Sequence, residues 1–167
     1  MDQEAFERLY QQHSDAVRAY VRRRQSGDEV DEALAEVWLV AWRRRRALPA
    51  APLPWLYGTA RRVLANQRRS RTRRLALAAR LAPVSPEPPS LPDGELGRAL
   101  ARLNPADREA LLLTAWEGLD ATTAAQAMGC SVAALQSRLR RARKRLQREL
   151  NYVHQISPQA SELEAKT

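Results

Sequence analysis

Apolar positions recur at helical spacing in successive stretches of this chain. Phe6, Leu9, Tyr10, His13, Val17, Tyr20 and Val21 form a first stripe, stopped at Gly27. Asp28 can cap a second helix, whose stripe is Val30, Ala33, Leu34, Val37, Trp38, Ala41 and Trp42. The other face of that helix carries Glu29, Asp31, Glu32 and Glu36. It ends in Arg43-Arg44-Arg45-Arg46, cations that suit the negative end of the helix dipole. Pro49, Pro52 and Pro54 predict a loop, and a third helix is expected from about Trp55 to Leu81. Further on, Leu96, Leu100 and Leu103 line a short helix. Asn104 caps the next, which opens on Pro105, carries Asp107 in its first turn and runs to about Glu117 before Gly118. Asp120 can cap a short helix through Met128. Gly129 closes it, and Ser131 can cap a last helix with the narrow seam Val132, Leu135, Leu139, Ala142, Leu146 and Leu150.

Between the two sets of helices lies the stretch Pro83 to Pro92, which holds five of the ten prolines. It cannot be the interior of a helix or sheet and reads as a semi-extended linker. The pattern therefore predicts an all-α chain of two small helical domains, residues 1–80 and 95–150. A proline-rich linker, 81–94, joins them, and a tail, 151–167, is expected to be disordered. Each core must be modest. Trp38, Trp42 and Trp116 share helical spacing with aliphatic residues and are expected inside. Trp55 has two readings: core packing, or stacking on an unpaired base. His13, on an apolar face, is expected packed or half-exposed.

Composition narrows the function. Aromatic residues make up only 5% of the chain, which disfavours a large β-sandwich or barrel. A single cysteine, Cys130, leaves no intramolecular disulfide, and with only His13 and His154 beside it no Cys/His zinc site is available. No metal and no cofactor are expected. No apolar run is long enough to span a bilayer, and the acidic start Met1-Asp2-Gln3-Glu4 lacks the apolar core of a signal peptide. The expectation is a soluble, cytoplasmic protein without membrane insertion.

Charge becomes informative once it is located. The formal net charge is +9, yet residues 1–47 are neutral. Residues 61–80 hold eight arginines and no acid, and residues 138–148 hold six arginines and Lys144 with no acid. Two cationic blocks, far apart in sequence, predict two contacts with a polyanion. On residues 29–36 no acid has a basic partner four positions on, which points to a protein partner for that face.

A short helix, a Gly-x-Ser turn and a cationic helix make a helix-turn-helix. Ala125, four before Gly129, is small enough to let the helices approach, and Gly129 suits the turn. The backbone N–H groups at Ser131 can face a phosphate. Ala133, Ala134, Gln136, Ser137, Arg138 and Arg140 are expected to face the major groove, where arginine can pair with guanine. Arg141, Arg143, Lys144 and Arg145 suit phosphates.

Gly118-Leu119-Asp120 through Gly129-Cys130-Ser131 to Ser137-Arg138-Leu139-Arg140-Arg141-Ala142-Arg143 resembles region 4 of bacterial sigma-70 family sigma factors, in the extracytoplasmic-function group. Asp31-Glu32-Ala33-Leu34-Ala35-Glu36-Val37-Trp38-Leu39-Val40-Ala41-Trp42 resembles region 2.2 of that group. Pro54-Trp55-Leu56-Tyr57-Gly58-Thr59-Ala60-Arg61-Arg62 resembles its regions 2.3 and 2.4. The resemblance spans about residues 4–150.

It implies a non-enzymatic subunit that gives RNA polymerase promoter specificity. By resemblance, Asp31, Glu32, Glu36 and Leu39 would dock on the clamp helices of the largest polymerase subunit. Trp55, Arg61, Arg62, Asn66, Arg68 and Arg69 would meet the −10 element. Ser131, Ala133, Ala134, Gln136, Ser137, Arg138, Arg140, Arg141, Arg143 and Lys144 would meet the −35 element. The flap of the second-largest subunit and an anti-sigma factor are implied as further partners. Ala35 stands where the group usually has Gln, and Arg62 and Asn66 replace its usual Asn and Asp. The alternative is a stand-alone helix-turn-helix regulator, which leaves the basic block of residues 61–80 without a role. An enzyme is disfavoured, since no carboxylate or histidine cluster of metal-ligand type is present.

Overall fold

A computed structural model describes residues 1–25, 27, 29–78 and 94–164. The protein is all-α, with two helical domains, and the described residues form no strand. Its helices are α1 (Gln3–Arg22), α2 (Glu29–Arg43), α3 (Pro52–Ala78), α4 (Glu95–Ala101), α5 (Pro105–Leu111), α6 (Ala121–Met128) and α7 (Val132–Glu164). Contacts divide the chain into two compact units, one of Met1–Ser90 with Gln126–Gly129, the other of Leu91–Ala125 with Cys130–Thr167. The expected cap Asp28 lies outside the described residues, as does the expected linker apart from Gly94.

In the first unit α1, α2 and α3 pack on one another. Asp2 starts α1 by accepting the Ala5 amide at 2.8 Å. The buried stripes are Leu9, Val17, Tyr20 and Val21 of α1, Val30, Ala33, Leu34, Val37 and Ala41 of α2, and Leu56, Tyr57, Ala60, Val63 and Leu64 of α3. The Tyr20 and Tyr57 rings stack with centroids 4.9 Å apart. Arg24, only 5% exposed, lies with its guanidinium 3.6 Å from the Tyr20 centroid and donates to the Tyr20 carbonyl at 3.0 Å. Arg68 of α3 donates to the Arg24 carbonyl at 2.9 Å, tying the end of α1 to the middle of α3.

Two expectations change here, the start of the third helix and the burial of two tryptophans. The third helix starts at Pro52, because prolines in a first turn lack an N–H that would have no partner anyway. Trp38 is half-buried and Trp42 is 37% exposed. Both rings form an aromatic cluster with the edges of Phe6 and Tyr10 on the outer rim of α1 and α2. The stripe of α2 is wider than the surface its neighbours can cover. His13 is half-buried, and burial lowers its pKa.

In the second unit α4 and α5 pack on α7, around Leu100, Leu103, Ala110, Leu111, Leu112, Leu113, Leu135, Leu139 and Ala142. Asn104 caps α5 by accepting the Ala106 amide at 3.0 Å. The helix expected to run on to Glu117 widens instead into a π-helical turn over Leu112–Trp116, and Glu117 donates to the Leu112 carbonyl. That extra residue per turn rotates Trp116 outward, leaving it 40% exposed rather than in the core. Gly118 and Gly129, with φ of 65° and 63°, take the left-handed conformation that ends a helix at low cost.

The tail expected to be disordered continues α7 to Glu164. Adding residues to a formed helix avoids the cost of nucleation, which works against the cost of Pro158 within the same span.

Replacing Leu56, fully buried, with alanine should cost about 2–5 kcal/mol. Replacing Leu39, which is 46% exposed, should change stability by no more than about 0.5 kcal/mol. Denaturant titrations of the two variants check the contrast.

Candidate nucleic-acid and partner interfaces

The packing of α2 fixes what it shows outward. Glu32, Ala35 and Leu39 follow one another at helical spacing on the side away from the buried stripe. Leu39 is therefore an exposed apolar side chain beside acids. Asp31 lies towards α1, where Arg18 reaches it at 3.2 Å. Glu29 lies towards α3, where Arg71 approaches at 3.5 Å and Gln25 donates to it at 2.9 Å. Two of the four acids thus have basic neighbours from other helices, which spacing along one helix cannot reveal. Glu32 is exposed and Glu36 half-buried, and the described residues show no ion pair for either.

On α3, Arg62, Asn66, Arg69 and Arg73 are exposed and recur on one face, opposite Leu56, Ala60, Val63 and Leu64. Arg62 folds back to donate to the Gly58 carbonyl at 3.0 Å, and Arg69 donates to the Asn66 side chain. Arg68 lies off this face, held at the Arg24 carbonyl. Arg61 and Trp55 are half-buried, and the Trp55 carbonyl accepts the Thr59 hydroxyl at 2.9 Å.

Beyond Arg69 the sequence pointed to no single residue of this helix. The structure adds Ser70, Arg71, Arg73 and Arg74, which with Asn66 and Gln67 form one wall of a polar cleft of about 440 Å³. Glu29, Glu32 and Glu36 form the other wall. The signal was in the sequence, since the eight-arginine block runs through this stretch.

α6, its turn and α7 form the helix-turn-helix. The Asp120 carboxylate accepts both the Thr123 amide and the Thr123 hydroxyl at 2.9 Å, capping α6. Ser131 caps α7 by accepting the Ala134 amide at 3.2 Å, so one N–H at that end is engaged within the chain. Ala133, Gln136, Arg140, Arg143 and Lys144 are exposed. Ala134, Ser137 and Arg138 are half-buried, and Arg138 flanks the buried seam of Leu135, Leu139 and Ala142. Arg141 is exposed but donates twice to Asp107 of α5, at 3.2 and 3.4 Å. Arg102 and Glu149 pair at 2.8 Å, joining the α4 end to α7. Cys130 is a free thiol in the turn. An apolar groove of about 270 Å³, which the sequence reading did not identify, lies between Leu96, Leu100, Leu111, Leu112, Ala115, Trp116 and Leu146.

Among the described residues no group of three or more His, Cys, Asp or Glu side chains is placed to hold a metal ion.

The chain matches the family described as sigma-70 region 2 over residues 9–74 and that described as sigma-70, region 4 over residues 93–146. It is 30% identical over 160 residues to RNA polymerase sigma factor NccH of Alcaligenes xylosoxydans xylosoxydans, covering 87% of this chain and 86% of the relative. The sigma factor RpoE of Bartonella quintana, solved with the anti-sigma factor NepR, is 25% identical with a TM-score of 0.71. That similarity covers 89% of this chain and 98% of RpoE. CnrH, solved with the cytosolic domain of CnrY, is 26% identical with a TM-score of 0.66, covering 90% of each chain.

The last of these corrects one expectation. CnrH was solved in complex with the cytosolic domain of CnrY, and "cytoplasmic" does not follow for this chain from its composition. What stands is that no described helix is long and apolar enough to cross a membrane.

The Asp120 carboxyl is held below the usual carboxylate range, first by the Thr123 amide and then by the Thr123 hydroxyl. A lowered pKa means the cap stabilises the fold above the ordinary carboxylate pKa and is lost as pH falls through the lowered one. In an NMR titration the Thr123 amide should shift with a midpoint below that of an unperturbed aspartate, and in Asp120→Asn it should stay constant. A midpoint at or above the ordinary value would contradict the cap.

Proposed function

Because this chain belongs to the sigma-70 family of RNA polymerase sigma factors, in its extracytoplasmic-function group, we propose that it joins core polymerase and directs initiation at promoters with −35 and −10 elements. The observation that carries this reading is the distribution of charge: arginines on exposed faces of α3 and α7, in separate compact units, and acids on the outer face of α2. A single DNA-binding element needs only one such face. Two suit two promoter elements, held with an effective concentration that the linker sets.

In this reading residues 1–80 form the polymerase-docking and −10 domain, 81–94 the linker and 95–150 the −35 domain. Asp31, Glu32, Glu36 and Leu39 of α2 dock on the clamp helices of the largest subunit, where an exposed leucine beside acids suits a basic surface with an apolar centre. Trp55, Arg61, Arg62, Asn66, Arg68 and Arg69 contact the −10 element, with Arg62, Asn66 and Arg69 supplying its exposed face. Opening follows from tighter binding of the unpaired strand than of the duplex, with no chemical step.

On α7, Gln136, Ser137, Arg138 and Arg140 read −35 bases with Ala133 and Ala134 beside them. Ser131, Arg141, Arg143 and Lys144 meet phosphates. The apolar groove beside Trp116 suits the flap of the second-largest subunit. An anti-sigma factor is a further partner, supported by the structures of RpoE with NepR and CnrH with the cytosolic domain of CnrY.

Run-off transcription with purified core polymerase tests the reading, which fails if no promoter supports initiation and no core binding is detected. Glu32→Arg with Glu36→Arg should weaken core binding while leaving −35 duplex binding intact; unchanged core affinity would mean the docking face lies elsewhere. Arg138→Ala should lose about 1–3 kcal/mol of sequence preference, measured against random duplex. An equal loss on both duplexes would make Arg138 a phosphate contact.

A further inference from the structure

Lysine is rare in this chain. It stands only at Lys144 and Lys166, among 28 Lys and Arg residues. A guanidinium stays protonated, whereas a lysine amine can lose its proton and accept an acyl group. Side-chain acylation therefore has two possible addresses, and one of them lies on α7.

Lys144 is exposed, and so are Arg140 and Arg148, one turn before it and one turn after. The three share a face opposite the buried Leu135, Leu139 and Ala142. No acid stands between Asp120 and Glu149, and Glu149 is held by Arg102 at 2.8 Å. Arg141 is turned aside to Asp107 at 3.2 Å. Arg140, Lys144 and Arg148 have no ion pair among the described residues. Residues four apart on a helix have Cβ atoms about 5–6 Å apart. An anion gripped by either guanidinium thus stands within reach of the Lys144 Nζ. An acyl phosphate suits this row, since its phosphate takes paired N–H donors and its carbonyl is activated towards an amine.

We propose that Lys144 is an acylation site for acyl phosphates held by Arg140 and Arg148, and that acylation loosens the grip of α7 on DNA. The unprotonated Nζ attacks the carbonyl carbon. A C–N bond forms, the C–O bond to the phosphate breaks, and phosphate leaves with the electron pair while the amine gives a proton to solvent. The product is a neutral amide, so one cation facing the phosphates is gone. The effect on DNA rests on the reading of α7 as a DNA-contacting helix; the acylation does not. A duplex seated on α7 covers the same amine, so the unbound chain is the one modified.

Peptide mass spectrometry of the full chain incubated with acetyl phosphate tests the first half. At low salt Lys144 should acetylate about tenfold faster than Lys166 in the same molecules, with the advantage shrinking as salt rises. Arg140→Ala with Arg148→Ala should remove that advantage, and alanine keeps α7 helical. Equal rates at the two lysines, or an advantage that survives loss of both arginines, overturns the site. Fluorescence anisotropy tests the second half. Acetylated chain should bind −35 duplex and random duplex about three- to tenfold more weakly, with each salt slope shallower by about one, the mark of a lost phosphate contact. Lys144→Arg keeps the charge and takes no acetyl group, so the same treatment should leave its duplex binding unchanged. Selective acetylation without loss of duplex binding overturns the switch. An untreated chain that binds neither duplex refutes the reading of α7 itself and takes the switch with it, a result distinct from the acetylation rates.

Discussion

The stack of Tyr20 on Tyr57 sets the rotation of α3 about its own axis, and the first unit follows from that. A helix carrying arginine on several sides has no strong preference for which side it buries. Two fully or nearly fully buried rings 4.9 Å apart impose one. Arg24 closes the stack from above, and the Arg68 guanidinium reaching its carbonyl fixes the same rotation from the far side. With Leu56, Ala60, Val63 and Leu64 turned inward, Arg62, Asn66, Arg69 and Arg73 must face out. The exposed arginine face of α3 is thus a consequence of aromatic packing as much as of arginine content.

In the second unit the seam of α7 is narrow, and polar contacts take over part of the alignment. Asp107 holds Arg141 through two donors, and Glu149 holds Arg102. Exposed ion pairs contribute little stability. Their effect here is directional: they give α7 a register against α4 and α5 that Leu135, Leu139 and Ala142 alone leave loose. Gly129 and the caps from Asp120 and Ser131 then make α6 and α7 two separate helices instead of one continuous one.

Charge on α2 is shared with the helices beside it. On α2 and α3 the acidic and basic faces meet along one cleft, so neither face has the field its own helix would suggest. Half of the acids expected to await a partner already have a basic neighbour in Arg18 or Arg71. Any partner of this face must compete with those arginines or settle on Glu32, Glu36 and Leu39.

Apart from the start of α3, the end of α5 and the run of α7 past Leu150, the sequence by itself determined the helices, with their caps at Asn104, Asp120 and Ser131, the two-domain all-α class and the family. These depend on local spacing and on residues a few positions apart, where backbone geometry leaves little choice. It did not determine how much of each stripe is covered. Trp42 and Trp116 lie on apolar stripes yet reach the surface, one because α1 is too narrow to cover it, the other because a π-helical turn rotates it away. Nor could it show that Glu29 meets Arg71, or Asp107 meets Arg141, across separations of 42 and 34 residues. Those pairs exist because separate helices are brought side by side. A charge acts through space on whatever lies within a Debye length, and tertiary structure alone decides what that is.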